Sequence, residues 1–363
     1  MTNPLTRATA VVRPATGLIP SLGGASRDRL TTTLQYVGLA VVLVLLVALP
    51  YLGLAPYYVN ITTTTLCSAL LAASVNFLLG QAGLVSMGQA GISTVAMYGV
   101  AWGFKQGWDL GGQLLLALVL TLVVSAIFGI VSMRTSGIYF MMVTLAAGML
   151  VFGLAYSMSS ITAADTGISV DRPGDLNSRF NYWQWYYLAL AVFIVGTAIL
   201  WVVSRSPFGA SLRGIRDSES RMRSLGYNVA AYKVGAFMIS GFVAGMAGVI
   251  TLWNNKLVTS DSASITNSTL PIIVLVLGGV GTLLGPLVGA IVVTFFSIIM
   301  PSFFERWETL LGVVFILVIM FARAGIVGGL GRLYRWIRRR TGGSVRTPDV
   351  GTPVPTSNHR TTA

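Results

Sequence analysis

Along this chain, apolar stretches long enough to cross a bilayer alternate with short polar ones. No Asp, Glu, Lys or Arg occurs from Leu30 to Phe104, a run of 75 residues. Further charge-free runs are Leu110–Met133, Thr135–Ala164, Phe180–Ser204, Val234–Asn255, Ser262–Phe304 and Thr309–Ala322. A charge at the centre of a membrane helix costs roughly 2.5–3.5 kcal/mol, and a helix needs about 20 apolar residues to span the hydrocarbon. The pattern predicts about ten transmembrane helices, near residues 34–54, 57–79, 84–104, 112–133, 138–157, 183–204, 234–253, 268–281, 284–300 and 307–322. The eighth is short and broken by Gly, so a re-entrant or discontinuous helix is an alternative there. The expected fold is an all-α polytopic membrane helical bundle.

Composition narrows the class. Of 363 residues 54% are hydrophobic and only 10% charged, against about 25% charged in an average soluble domain. This excludes an ordinary cytosolic enzyme, a disordered chain and a disulfide scaffold. The net charge of +13 raises nucleic acid and membrane as partners, and its distribution decides between them. Residues 1–33 hold four Arg and one Asp, residues 205–233 five Arg and one Lys against two acids, and residues 323–363 eight Arg and one Asp. With ten spans all three blocks and Arg134 fall on one side, which carries +15, and the other side carries −2. Lys and Arg mark cytoplasmic loops, so both termini are expected in the cytoplasm. Nine spans would strand a basic block outside. The charge reports topology, and no nucleic-acid partner is expected.

Three regions follow: a cytoplasmic segment at 1–33, a transmembrane region at 34–328 that includes the basic loop 205–233, and a basic tail at 329–363. The N-terminal segment is too long and polar before its first apolar run for a cleavable signal peptide. The tail after Arg340 is rich in Thr, Pro, Ser and Gly and is expected to be disordered. Its Arg332, Arg335, Arg338, Arg339 and Arg340 suit either anionic lipid head groups or a plain stop-transfer flank.

Much chemistry is ruled out. Cys67 is the only Cys and His359 the only His. An intrachain disulfide, a Cys or His metal site and a His-dependent nucleophile are therefore not expected. None of the three Lys (Lys105, Lys233, Lys256) follows a Gly, so there is no Walker A phosphate loop. No cofactor is expected on this chain. The spans carry no acidic residue, which disfavours a proton relay, while Na⁺ coupling through backbone carbonyls stays open.

Three segments carry more information. Asn76–Gly91 contains Gly-Gln-Ala-Gly twice, eight residues apart. Its Gly80, Gly83, Gly88 and Gly91 suit close helix packing or a helix break. Its Asn76, Gln81, Ser86 and Gln89, with Ser93 just beyond, are candidates to line a polar path, and tight packing around a short turn is the competing reading. The second segment runs from Ser206 to Gly226, with Ser206 as N-cap and Pro207 at the first helical position. Phe208, Leu212, Ile215 and Met222 recur at helical spacing, with Glu219 interrupting. Arg213, Arg216, Ser220 and Arg223 fall on another face. This amphipathic helix suits either the membrane surface or a groove on a cytoplasmic partner. The third segment, Leu277–Ala290, holds a Gly278–Gly281 cluster, Pro286, and a G-x-x-x-G pair at Gly285 and Gly289. A second such pair is Gly241 and Gly245. Packing and turn chemistry account for these.

Together the segments resemble the branched-chain amino acid ABC importer permeases, on the LivM side of the LivH/LivM pair. The residues that carry the resemblance are the stretch 80–90, Arg134–Phe140 with Thr144-Leu145, Arg205–Asp217 continuing through Leu225–Val229 and Tyr232-Lys233, and Gly278–Ala290, with Arg306-Trp307, Gly312 and Gly325 near the end. They cover roughly residues 65–328 in order. The resemblance implies a type II ABC importer permease fold in a bacterial inner membrane. It implies pairing with a homologous second permease, two cytoplasmic ATPase subunits that hold ATP and Mg, and an extracytoplasmic solute-binding protein. The 206–226 helix then resembles a coupling helix, with Phe208, Gly209, Leu212 and Ile215 packing into the ATPase and Arg213, Arg216 and Glu219 setting register. Where the family usually has His after the Gly at position 88, this chain has Gln89. The family also serves urea and short-chain amides, so branched-chain amino acids are the leading expectation and those solutes the alternative. An autonomous secondary transporter or channel is a reading from a different class, and a non-transporting scaffold is a third.

Overall fold

In a computed structural model, the described residues are 46–48, 55–173, 182–303, 306–321, 325–327 and 329. The segment 1–33, the span at 34–54 apart from Leu46–Ala48, and the tail from 330 onward lie outside them. The chain divides into two units, Met1–Leu52 and Gly53–Ala363. Of the first, Leu46–Ala48 is described, as helix. The second holds all the other described residues.

Its helices are α1 (Pro56–Phe77), α2 (Gln89–Lys105), α3 (Leu110–Ser132), α4 (Gly137–Ser157), a single turn α5 (Ser159–Thr162), α6 (Tyr182–Arg205), α7 (Pro207–Asp217), α8 (Glu219–Ser224), α9 (Val229–Asn255), α10 (Ile265–Gly278), α11 (Gly285–Thr294) and α12 (Trp307–Phe321). Among the described residues six stretches are long and apolar enough to cross a membrane: Pro56–Ala82, Leu110–Ser132, Gly137–Ser157, Trp183–Arg205, Val229–Asn255 and Gly285–Ser302. Shorter helices occupy the third, eighth and tenth expected spans. At about 1.5 Å per residue the 14 residues of α10 fall well short of a 30 Å hydrocarbon core. The chain is not purely helical: Ile168–Ser169 (β1) pairs antiparallel with Leu257–Val258 (β2), in register Ile168↔Val258. Two residues per strand gave no periodicity to read.

The helices are inside-out by soluble standards. On α3 the buried residues are Gln113, Ala117, Thr121, Ser125, Phe128, Gly129 and Ser132, mostly small or polar, while Leu115, Val119, Val123, Ile127 and Val131 are exposed. On α4 Phe140, Thr144, Gly148 and Ala155 turn inward. An apolar outer face is stable only in lipid, where helix association rests on close packing rather than on hydrophobic burial. The polar run Thr62–Thr65 in α1 is accommodated because each hydroxyl donates to the carbonyl four residues back, at 2.9–3.0 Å.

α1 and α9 form the centre, with α2, α10 and α11 packed on them and α3, α4 and α6 outside. α1 ends in a π-helical turn, Leu78–Ala82, closed by Gly83 at φ +70°. Leu84 N donates to Leu78 O at 3.2 Å, closing the turn in the manner of a left-handed helix cap. Gly83–Gly88 is then irregular, with Leu84 and Ser86 buried. Irregular backbone at this depth is tolerated only inside protein, and here Met87 N donates to Thr144 Oγ1 at 3.2 Å and Gly88 N to Ser86 Oγ at 3.2 Å.

The glycines sit at close approaches. A Cβ on Gly91 would lie 3.1 Å from Gly148 Cα, and one on Gly88 would lie 2.9 Å from the Phe128 ring. Gly241 faces Ser125, and Gly245 faces Thr121. In the α10–α11 hairpin Gly289 lies on the Val274 carbonyl and Gly285 on the Gly279 carbonyl.

Gly289→Ala is expected to destabilise the protein by about 2–3 kcal/mol, because its methyl meets backbone that has no rotamer to yield. Gly153→Ala, where the same methyl meets nothing within 4 Å, should be neutral or stabilise by about 0.5 kcal/mol. Thermal unfolding in detergent measures both, and equal behaviour would remove the hairpin contact as the cause.

Candidate functional site

α7 starts as expected, with Pro207 in its first turn and the Ser206 hydroxyl accepting from Gly209 N at 3.4 Å. The amphipathic segment is two helices rather than one. The backbone is extended at Ser218, whose side chain caps α8 by accepting from Arg221 N. The apolar face of α7 is used within this chain. Leu212 is 0% and Ile215 3% exposed, and Gly209 is pressed against the Ser204 carbonyl, with 2.5 Å left for a Cβ. Half-buried Phe208 stacks on Tyr232 of α9, with centroids 5.2 Å apart. These residues fasten α7 to its own bundle, and Leu212 and Ile215 have almost no surface left for a partner. Leu225 and Tyr227, just beyond α8, are the large apolar side chains this loop exposes.

The polar residues of α7 reach the broken end of α1. Arg213 donates to Gln81 Oε1 at 2.7 Å and to Ser204 O at 2.6 Å. Arg216 donates to Gly80 O at 2.5 Å. Gly83 is kept a glycine by the same contact, since a Cβ there would lie 2.6 Å from Arg216 Cγ. One turn back, Asn76 donates to Thr282 O at 2.9 Å and accepts from Gly281 N at 2.7 Å. Gly80 lies against Gly281, with 3.4 Å for a Cβ. The three motifs of the sequence thus meet at one end of the bundle. Asn76 and Gln81, expected on a polar path, are ties between segments, through both ends of the Asn76 amide and the oxygen of Gln81.

The cavity lies farther along, between α1, α2, α9, α10 and α11, with a volume of about 320 Å³. This is at the small end of ligand sites. Of the five expected path residues only Ser93 lines it. Ser86 is buried in the irregular segment. Gln89 is 1% exposed, and its amide has no hydrogen-bond partner among the described residues. The walls come from residues the sequence reading passed over. Thr64, Ser68, Thr251, Asn254, Asn255 and Asn267 supply polar groups; Leu71, Met97, Val274 and Val293 supply apolar surface. No charged side chain lines it among the described residues. Thr64 and Thr251 donate to carbonyls four residues back, which hides their polarity inside an apolar helix.

The end of the bundle away from α7 is tied around Asn254. Its Nδ2 donates to Thr64 Oγ1 at 3.1 Å, and its Oδ1 accepts from Trp185 Nε1 at 3.1 Å. Arg172 donates to the last carbonyls of α9, those of Trp253 and Asn254, at 3.0 and 3.4 Å, and its guanidinium lies 4.8 Å from the centre of the Trp185 ring. Cations at a helix C-terminus are favourable. Among the described residues no group of three His, Cys, Asp or Glu could hold a metal ion.

Glu219 is engaged within this chain. It accepts from Lys233 at 3.0 Å and from Arg223 at 2.7 Å, and the Lys233 side chain is 5% exposed. Burial raises the Glu219 carboxyl, but the hydrogen bonds and charges of Lys233 and Arg223 outweigh it and hold the carboxyl below its ordinary value. Glu219→Gln is expected to cost about 2 kcal/mol, less than the 3–5 kcal/mol of a fully buried pair because the carboxylate is partly solvated. Because the folded value is the lower one, the contribution is complete above about pH 4.3 and fades as pH falls through the folded value. Thermal unfolding of both proteins from pH 3 to 7 measures it. A gap that does not close in acid would refute the ion pair as its source.

The family model described as branched-chain amino acid transport system / permease component matches residues 57–323. The high-affinity branched-chain amino acid transport system permease protein LivM of Escherichia coli K12 is 25% identical over 337 residues, covering 85% of this chain and 77% of the relative. Its counterpart in Salmonella typhimurium is 24% identical with the same coverage. An autoinducer 2 import system permease protein, LsrC of Photorhabdus laumondii, is 27% identical over 108 residues, 28% of this chain and 32% of the relative. No solved structure matches. With a family model spanning most of its length, and apolar helices to carry it through a membrane, the chain belongs to the branched-chain amino acid ABC transporter permeases and is a multi-pass membrane protein.

Proposed function

We propose that this chain is one permease subunit of an ATP-driven importer and forms half of a path for a small zwitterionic solute, with branched-chain amino acids as the cargo. It pairs with a homologous permease, is driven by two cytoplasmic ATPases, and receives solute from an extracytoplasmic binding protein. The Lys and Arg distribution supports ten spans in the inner membrane, with the α7 end and both termini in the cytoplasm. The names of the LivM relatives support the cargo. The cavity suits it: amides and hydroxyls match a charged ammonium and carboxylate without a fixed charge to trap them, and Leu71, Met97, Val274 and Val293 accept an aliphatic side chain.

One observation carries the mechanism: α7 is hydrogen-bonded to the end of the helix that walls the cavity. An ATPase holding the exposed Leu225 and Tyr227 end of the loop would move α7 and α8 as it closes. Arg213 and Arg216 pass that displacement to Gln81 and Gly80, and Asn76 passes it to the α10–α11 loop. Both walls of the cavity then shift together, a rigid-body switch between two access states. The ATP is held by the partner chains.

Leucine uptake into vesicles is expected only when the ATPases are reconstituted with the permeases. Arg213→Ala with Arg216→Ala should cut it at least tenfold while the complex still assembles. Uptake by the permeases alone would identify an autonomous transporter, and uptake of urea but not leucine would refute the cargo. Cys67, the single cysteine, lines the cavity. Its labelling by a small maleimide should change severalfold between nucleotide-free and ATP-trapped complexes, and Ser68→Leu should abolish both labelling and transport. An unchanged labelling rate would mean that the cavity does not switch access.

A further inference from the structure

At the α7 end a second recess of about 420 Å³ lies between the α3–α4 turn and α8. Its charged lining is Arg134, Arg223, Lys233 and Glu219. Glu219 is the one carboxylate, and it is already divided between Lys233 and Arg223. Arg134 makes no hydrogen bond or ion pair among the described residues. The recess therefore holds two positive charges more than it balances. An ammonium has three donors, yet the buried Lys233 makes one hydrogen bond, to Glu219. Hydroxyls of Ser136 and Ser220 add donors on opposite sides, and Ser136 caps nothing on α4. A buried ammonium with two donors to spare, beside the exposed and unpaired Arg134 and a surplus of positive charge, calls for an anion with several oxygens, which a phosphate supplies.

The surface beside the recess selects among phosphate carriers. The first turns of α4 follow Ser136 directly, and Ile138 and Tyr139 are 75% and 74% exposed, with Met142 exposed one turn on. A soluble phosphate has no use for that surface, whereas an acyl chain does. We propose that this recess is a headgroup site for an anionic phospholipid, with the phosphate between Arg134, Arg223 and Lys233 and the chain along Ile138, Tyr139 and Met142. The lipid would fasten the α3–α4 turn to α8, so that the coupling loop rests on the bilayer as well as on its own bundle. The assignment concerns binding only and stands whichever solute the transporter carries.

The test is lipid retention by native mass spectrometry on the full-length chain, purified with its partner subunits in detergent carrying defined lipid. Phosphatidylglycerol is expected to be retained over phosphatidylcholine. Arg134→Gln should weaken that retention roughly fivefold, the size of one basic contact at a membrane surface, and Arg134→Lys should restore most of it. Arg134 is exposed and unpaired, so the variant should melt with the wild type. Ile138→Ser with Met142→Ser should also weaken retention. Inorganic phosphate binding at the same arginine, indifferent to the Ile138 and Met142 changes, would overturn the lipid assignment. Equal retention of both lipids, or no effect of Arg134→Gln, would overturn the site.

Discussion

The end of α1 sets the terms for the rest of this molecule. A helix that stops inside a bundle leaves its last carbonyls without partners in the helix, and side chains from elsewhere must meet those that packing covers. Here the helix loosens into a π turn before it stops, and turns of that kind are frequent at functional positions. Arg216 takes the Gly80 carbonyl, and Arg213 holds the neighbouring Gln81 side chain. Both guanidiniums also lie where the helix dipole is negative. The basic character of α7 thus has a local electrostatic cause, beyond the excess that orients the chain in the membrane.

That one constraint orders the neighbouring segments. Because Arg213 and Arg216 face α1, Leu212 and Ile215 must turn into the bundle, and α7 becomes an integral part of it. Because Gly83 must admit the Arg216 stem, it has no side chain, and its left-handed backbone ends the helix. Because Asn76 lies one turn behind Gly80, the same helix end also holds the α10–α11 loop. A displacement at α7 has a direct hydrogen-bonded route to both sides of the cavity.

Much of this architecture was legible in the sequence, for a physical reason. Charge is so costly in hydrocarbon that the positions of the crossing helices are written in its absence, and helices lie at nine of the expected spans among the described residues. The start of α7 was legible too, since Ser206 and Pro207 act locally. What could not be read is whatever depends on a distant partner. An amide in an apolar run looks the same whether it lines a path or clamps a loop 206 residues away, as Asn76 does. The cavity was hidden for the opposite reason: Thr64 and Thr251 satisfy themselves within their own helices, so they resemble packing residues until their neighbours are known. Glu219 read as an interruption of an apolar stripe, and only the fold supplies Lys233 as the reason for it.

Two kinds of contact divide the work between the ends of the bundle. At the α7 end the ties made by α7 and α8 are charge-assisted, from Arg213, Arg216 and the Lys233–Glu219 pair, and such bonds are roughly twice as strong as neutral ones; Asn76 adds neutral bonds to the α10–α11 loop. Around the cavity the ties between helix side chains are neutral amide and hydroxyl bonds, such as Asn254 to Thr64, each contributing about 1 kcal/mol net, with the charged Arg172 confined to the outer end of α9. When two ends of a mechanical element differ in this way, the weaker end yields first. In the proposed coupling, a movement imposed on α7 would therefore leave its own attachments whole and be expressed at the cavity, where small neutral bonds can break and re-form without leaving a charge unpaired.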